Sequence, residues 1–140
     1  MPYTRTTWQD YPGNTPINAT RLNNIEVGVE EALAGTQVIN SQSGSTYTLV
    51  LSDAAQNAML SLTNASSAAV TIPAESAVAF PVGAVVNLIQ LGAGQVTVAG
   101  DTGVTLNSEG SKFKTKAQYA VASLLKTGND SWVMFGNVAT

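Results

Sequence analysis

Residues 84–99 read AVVNLIQLGAGQVTVA, and this stretch indicates the fold most clearly. Two short runs rich in Val, Leu and Ile flank the Gly-Ala-Gly step at residues 92–94. Apolar runs of this length bounded by turn residues are typical of β-strands. We expect residues 92–94 to form a hairpin turn, and we make the same prediction for the Gly-Asn-Asp step at residues 128–130.

The same pattern extends from about Gln37 to the C-terminus. Short apolar or β-branched runs alternate with clusters of Gly, Asn, Asp, Pro and Ser at a spacing of roughly 8–12 residues. The predicted strands are residues 47–51, 59–63, 69–72, 84–91, 95–99, 103–106, 112–116, 119–126 and 131–136. Many short strands separated by turns predict a mainly β protein with an antiparallel β-sandwich or barrel-like domain. The last strand is the most apolar, so we expect it at the centre or at a subunit interface.

One helix is predicted before this region, over residues 19–34, with Asn18 as its N-cap. Leu22, Ile25, Val29 and Leu33 form a single apolar stripe at helical spacing. About four turns are marginal for an isolated helix in water. We therefore expect the stripe to pack on a core or to form an interface between copies of the chain.

The first 16 residues predict an extended arm, because repeated prolines interrupt regular structure. Its large apolar side chains are Tyr3, Trp8 and Tyr11, with Pro12 directly after the last of them. Either these side chains pack back on the same subunit or they insert into a partner. We favour insertion, which makes the arm a docking element. The predicted organisation is an attachment arm and helix at 1–35, a linker at 36–45 and a β-rich domain at 46–140.

Composition narrows the possible partners. Charged residues make up only 11% of the chain, against about 25% in an ordinary protein. The net charge is −3, and no Lys or Arg occurs between Arg21 and Lys112. Because nucleic-acid binding needs a basic patch, we expect no nucleic-acid partner. The alternating Lys112, Lys114 and Lys116 are expected on one solvated strand face that protects a sheet edge, with polyanion binding as the alternative.

Composition also bears on catalysis. The sequence has neither His nor Cys, which removes most nucleophile–base pairs and all disulfides. Its acidic residues are scattered among predicted turns without the spacing of a metal-binding loop. We therefore expect a non-enzymatic protein with no cofactor and no metal. No run approaches the roughly 20 apolar residues of a membrane span, and no signal-peptide pattern is present, so we expect no membrane partner.

Two parts of the sequence resemble proteins of bacteriophage particles. The first combines Trp8, a Thr-Pro-Ile-Asn-Ala step at residues 15–19 and Leu-Asn-Asn-Ile-Glu at residues 22–26. It resembles a segment common in tail-fibre, minor tail and head-fibre proteins of phages, notably those of actinobacteria. In those proteins the segment is thought to attach or trimerise the exposed domain. The second part is similar to a module near the ends of phage fibre and structural proteins, in the runs 69–73, 79–83, 89–97, 103–107 and 124–132.

The resemblance implies a homotrimeric structural protein at the virion surface, made in the host bacterial cytoplasm. Its partners would be copies of itself and the phage major capsid protein or tail proteins. The connection between the two matched parts is short, which favours a small capsid decoration or head-fibre protein. The alternative is a tail-fibre or minor tail protein that binds the host surface or its glycans.

A carbohydrate-binding module is a third possibility, from a different class. It would need an exposed aromatic platform. The β region offers few candidates for it, and most of these lie in apolar runs and are expected in the core: the candidates are Tyr47, Phe80, Phe113, Tyr119, Trp132 and Phe135.

Overall fold

A computed structural model describes residues 22–27, residue 29 and residues 35–140. The chain divides into two units, Met1–Thr36 and Gln37–Thr140. In the first unit, residues 22–27 and 29 are helical, which confirms the predicted helix for those positions. The predicted N-cap, Asn18, lies outside the described residues.

The second unit is mainly β, as predicted. Its strands are β1 Val38–Gln42, β2 Thr46–Thr48, β3 Ala58–Leu62, β4 Ala68–Ile72, β5 Val85–Gln90, β6 Val96–Gly100, β7 Thr105–Ser108, β8 Lys114–Thr115, β9 Val121–Gly128, β10 Ser131–Gly136 and β11 Val138–Ala139. Two short 3₁₀ turns, Leu51–Ala54 and Glu109–Ser111, interrupt the strands. Nine of these strands overlap a predicted one, whereas β1 and β11 had no counterpart among the predicted strands.

The strands form two sheets. The six-stranded sheet has the order β1-β3-β5-β9-β10-β7, and the five-stranded sheet has the order β11-β8-β6-β4-β2. The first six strands alternate between the sheets, so that β1-β2, β3-β4 and β5-β6 are three successive rungs that pair in parallel. Between the second and third rungs the paired residues are offset by 28 in both sheets, from Leu60 to Leu88 and from Ala68 to Val96. This is a solenoid-like arrangement.

The prediction of an antiparallel sandwich or barrel-like domain was therefore wrong in its pairing, because both sheets are mixed. The hairpin predicted at residues 128–130 is present and joins the antiparallel strands β9 and β10. The step at residues 92–94 is not a hairpin. It joins β5 and β6, which lie in different sheets, so it forms a corner of the third rung.

The core lies between the inner faces of the two sheets. Alternate residues of β3, β5, β9 and β10 point inward from one sheet, and alternate residues of β4 and β6 from the other. The largest buried residues include Trp132 and Phe80, whose rings meet edge to face with centroids 5.3 Å apart. This period-two burial is the reason that the strand positions could be predicted.

Strand β1 lies inside the range 36–45 that was predicted as a linker. Its sequence, VINSQ, lacks the apolar alternation of the other strands. The reason is that its inward positions Asn40 and Gln42 belong to a polar network rather than to the apolar core. Its pairing in parallel with β3 places the start of the β-rich region at Val38 instead of residue 46.

Candidate functional site

The docking residues predicted in the N-terminal arm, Tyr3, Trp8, Tyr11 and Pro12, lie outside the described residues. Their docking role stays a prediction.

The predicted helix stripe is described in part. Leu22, Ile25 and Val29 lie in the helical residues, whereas Leu33 lies outside the described residues. The side chain of Ile25 is 61% exposed and that of Val29 is 38% exposed. The role of the stripe as an oligomer interface also stays a prediction.

The described residues contain a second apolar surface, the outer face of the six-stranded sheet. In β5, β9 and β10 most of the residues that alternate with the core positions are apolar as well, and the others are Asn, Ser or Thr. The apolar ones are Val85, Ile89, Val121, Leu125, Val133 and Phe135. The strand register places Val85 opposite Leu125, and Leu125 opposite Val133. Ile89 lies opposite Val121 in a second apolar row, and the row between the two contains Asn87, Ser123 and Phe135.

Ser123 and Asn87 on this outer face bind each other, whereas the buried hydroxyl of Ser61 in β3 has no hydrogen-bond partner. The Ser123 hydroxyl donates a hydrogen bond to Asn87 Oδ1 at 2.7 Å. Phe135 lies opposite Ser123 in the register and is 48% exposed, although its position in an apolar run suggested a core residue. None of the outward positions of β1, β3, β5, β9 and β10 holds an Asp, Glu, Lys or Arg. The face therefore offers no charge to water or to a charged partner.

The two sheets differ in their outer faces. At about 4.8 Å between strands and about 3.3 Å per residue, the five strands β1, β3, β5, β9 and β10 cover roughly 300 Å². Apolar side chains occupy part of this area, and the largest exposed apolar patch of a protein is often functional. The outer face of the five-stranded sheet instead presents threonines and a lysine, including Thr46, Thr97 and Lys114 in one row. Of the two faces, only that of the six-stranded sheet has the character of an interface.

The three alternating lysines do not share one strand. Lys114 lies in the two-residue strand β8, and Lys112 follows the 3₁₀ turn Glu109–Ser111 and pairs with Glu109 at 3.4 Å. The predicted single basic strand face is therefore incomplete.

A buried polar network closes the first rung of the solenoid. Asp53, only 2% exposed, accepts hydrogen bonds from Asn40 Nδ2 at 2.8 Å, the Tyr47 hydroxyl at 2.9 Å and the backbone N–H of Val50 at 2.9 Å. Gln42 Nε2 extends the network by donating to Asn40 Oδ1 at 2.7 Å. Both carboxylate oxygens are engaged, so Asp53 organises the end of the core rather than binding a ligand.

The environment of Asp53 changes the acidity of Tyr47. Burial raises the pKa of the Tyr47 hydroxyl above its ordinary value, and the hydrogen bond to Asp53 raises it further. Both effects disfavour a phenolate beside a carboxylate. The folded protein therefore holds this proton at a pH at which the unfolded chain releases it.

We expect the stability of the domain to fall as the pH rises above about 10, the ordinary tyrosine pKa. Unfolding releases the Tyr47 proton in that pH range. The contribution of Tyr47 to the free energy of unfolding is therefore fully present at lower pH, and it is lost as the pH rises toward the raised pKa of the folded state. Tyr47→Phe should flatten this slope and lower the free energy of unfolding at neutral pH by about 1.5 kcal/mol, because a hydrogen bond to a carboxylate is lost. Urea unfolding between pH 7 and 11 measures both effects.

The control for this prediction is Tyr119→Phe, which removes a hydroxyl from a side chain that is 67% exposed. It should keep the alkaline slope of the wild-type chain. An unchanged slope in Tyr47→Phe would contradict the assignment of the slope to the network around Asp53.

No cluster of three or more metal-ligating side chains occurs among the described residues. In the same part of the chain, no helix has the length and hydropathy needed to cross a membrane. No protein family, curated protein or solved structure matches the chain.

Proposed function

We propose that this chain is a non-enzymatic structural protein of a bacteriophage particle that assembles with copies of itself and docks on the particle through its N-terminal arm. The observation that carries the self-assembly is the outer face of the six-stranded sheet, which is largely apolar and has no charged residue at the outward positions of β1, β3, β5, β9 and β10. A face without charge has nothing to repel an identical face, so it suits a second copy of the same chain.

The trimeric state rests on the resemblance to phage fibre and decoration proteins. In the proposed homotrimer, the outer faces of the six-stranded sheets pack against neighbouring copies, and the stripe Leu22, Ile25, Val29 and Leu33 supplies a second contact. Burying this surface would reduce the exposed apolar area of a chain in which only 11% of the residues are charged. The particle contacts are assigned to Tyr3, Trp8, Tyr11 and Pro12, with the phage major capsid protein or tail proteins as partners. The product would lie on the virion surface after synthesis in the host bacterial cytoplasm.

The mass of the purified protein in solution tests the self-assembly. Light scattering should give about three times the chain mass of 14.4 kDa. Phe135→Asp should reduce the mass toward that of one chain, because it places a charge within the proposed contact. The matched control is Ala69→Asp, an exposed position on the outer face of the five-stranded sheet, which should keep the wild-type mass. A monomeric wild-type chain, or a Phe135→Asp variant of unchanged mass, would overturn the proposed interface.

Removal of residues 1–16 tests the docking role of the arm separately. The shortened chain should keep its oligomeric mass and lose its binding to purified particles, because the aromatic side chains of the arm are gone. Co-sedimentation of the labelled protein with particles measures the binding. Undiminished binding of the shortened chain would refute the docking assignment while leaving the self-assembly intact.

The number of copies of the protein in each particle distinguishes a location on the capsid from a location on the tail, the two alternatives that the resemblance implies. Hundreds of copies would indicate a capsid decoration or head-fibre protein, and a few copies would indicate a tail protein that contacts the host surface. Quantitative mass spectrometry of purified particles, scaled to the major capsid protein, gives this number.

A further inference from the structure

Tyr119 is the most exposed large apolar side chain among the described residues, at 67%. Its backbone has φ of 70°, in the left-handed region that a bulky residue rarely adopts. Two hydrogen bonds hold this conformation: Tyr119 N–H donates to the Gln90 carbonyl at 2.6 Å, and Ala120 N–H donates to the Ala117 carbonyl at 3.0 Å. The chain therefore bears a backbone strain that places an aromatic ring in solvent instead of the core.

The ring borders an open pocket of about 300 Å³. The pocket is lined by Lys116, Ala117, Gln118, Tyr119, Ala120 and Asn137. Backbone hydrogen bonds join residues 116–120 to Asn137 on the other side of the pocket. Lys116 N–H donates to the Asn137 carbonyl at 3.0 Å, and Asn137 N–H donates to the Val121 carbonyl at 2.9 Å. The walls are thus held by the ends of the neighbouring strands.

Several polar side chains around the pocket are not used by the fold. Within the described part of the chain, the side chains of Lys116, Tyr119 and Asn137 make no hydrogen bond or ion pair. Gln118 uses its Nε2 to donate to the Leu91 carbonyl at 2.8 Å, and its carbonyl oxygen makes no hydrogen bond there. The pocket therefore combines one exposed ring with donors and acceptors that make no hydrogen bond within the described part of the chain.

This combination matches the chemistry of a saccharide. A pyranose has an apolar C–H face that stacks on an aromatic ring and a rim of hydroxyls that bind amide and ammonium groups. A volume of about 300 Å³ is at the lower end of ligand pockets, which suits one small ring. A nucleic acid is a poorer match, because Lys116 is the one charged residue in the lining and phosphates need several cations.

We infer that the pocket beside Tyr119 binds a saccharide unit, with the ring of Tyr119 stacked on the sugar and the amides of Gln118 and Asn137 bound to its hydroxyls. Lys116 adds a preference for sugars that carry a carboxylate. This activity goes beyond the proposed structural role and does not depend on it, because the pocket is formed within one copy of the chain.

Saturation-transfer difference NMR on the full chain tests the inference, with galactose, N-acetylglucosamine and glucuronic acid at millimolar concentration as probes. At least one sugar should receive saturation from the wild-type protein. Tyr119→Asn should abolish the transfer, because it removes the ring, while asparagine tolerates the left-handed backbone and should keep or raise the melting temperature. Tyr119→Phe should retain the transfer, and Lys116→Met should weaken binding of glucuronic acid alone.

Val82→Ala provides the control, since it truncates an apolar side chain that is 65% exposed and does not line the pocket. It should leave saccharide binding unchanged. The inference is overturned if no probe receives saturation from the wild-type chain, or if Tyr119→Asn binds as the wild type does. Tyr119→Asn should also keep the oligomeric mass, so that failure of this inference and failure of the proposed assembly can be told apart.

Discussion

Replacing Glu75 by alanine should lower the free energy of unfolding by about 3 kcal/mol, because it leaves the ammonium group of Lys126 buried without a counter-charge. Lys126 is on the inward face of β9 and is only 2% exposed. Its Nζ donates to Glu75 Oε2 and to the Phe80 carbonyl, the latter at 2.5 Å. This cation therefore helps to fasten the loop between β4 and β5 to the core, together with the hydrogen bond from Glu75 N–H to Asp130 Oδ1 at 2.7 Å.

A double-mutant cycle separates the ion pair from the packing. Lys126→Met keeps an unbranched apolar stem and removes the charge, and the Glu75 carboxylate, 29% exposed, is left with access to water. We therefore expect Lys126→Met to cost less than Glu75→Ala, about 1 kcal/mol. The double variant should resemble Lys126→Met alone, since Glu75 has no cation to neutralise in its absence. Urea unfolding followed by tryptophan fluorescence, at equal protein concentrations, measures all three.

The chain supplies a matched control in its exposed ion pair. Lys112 and Glu109 are 3.4 Å apart, with the Glu109 side chain 91% exposed. Glu109→Ala should change the free energy of unfolding by less than about 0.5 kcal/mol, because solvent screens such pairs. If Glu75→Ala behaved like Glu109→Ala, the buried pair would not be a fastening point of the loop. A larger loss in Lys126→Met than in Glu75→Ala would show that packing of the stem outweighs the charge.

The positions of most strands were predictable because burial in a sheet has a period of two. Apolar core residues therefore recur at every second position of the local sequence. The run at residues 131–136 shows it directly, since Trp132 and Met134 enter the core while Val133 and Phe135 face outward. The partner of each strand was not predictable in this way. Parallel and antiparallel neighbours impose the same alternation, so the stacking of Leu60 on Leu88 leaves no local trace.

The sequence does contain a signal for the apolar outer face, in pairs of consecutive apolar residues that interrupt the simple alternation. Val85-Val86 and Leu124-Leu125 place two apolar residues in succession, so one of each pair must face outward. A strand with apolar residues on both faces is typical of a sheet covered on both sides. The buried charge of Lys126 left no such signal, because its partner Glu75 is distant in sequence and the pairing depends on the path of the loop between β4 and β5.

The contacts of the corner at residues 91–95 distinguish the observed parallel solenoid from the antiparallel hairpin that was predicted at this position. Its backbone stacks directly on the corner at residues 63–67 of the preceding rung. The N–H groups of Leu91 and Gly92 both donate to the Leu62 carbonyl, at 2.8 and 2.9 Å, and Gly94 N–H donates to the Asn64 carbonyl at 3.1 Å. Such close stacking leaves no room for a side chain on the face that meets the lower rung.

We expect Gly94→Ala to lower the free energy of unfolding by more than about 3 kcal/mol, in the tail of the mutational distribution that core clashes occupy. A Cβ at this position would lie 1.8 Å from the Ser66 carbonyl oxygen, and one at Gly92 would lie 2.0 Å from that of Asn64. Both neighbours are backbone atoms, so relief requires the two corners to separate and their hydrogen bonds to break. Urea unfolding of the Gly94→Ala and Gly92→Ala variants measures the loss.

The matching corner of the first rung supplies the control, because Gly44 has no contact closer than 3.5 Å for an added Cβ. Gly44→Ala should therefore be neutral or slightly stabilising, through the reduced freedom of the unfolded chain. In an antiparallel hairpin the turn at residues 92–94 would project into solvent, and alanine at Gly94 would meet no second turn. Equal stability of Gly94→Ala and Gly44→Ala would consequently refute the stacked corners and the parallel order of the rungs. A large difference between them would establish that the second and third rungs are in direct backbone contact.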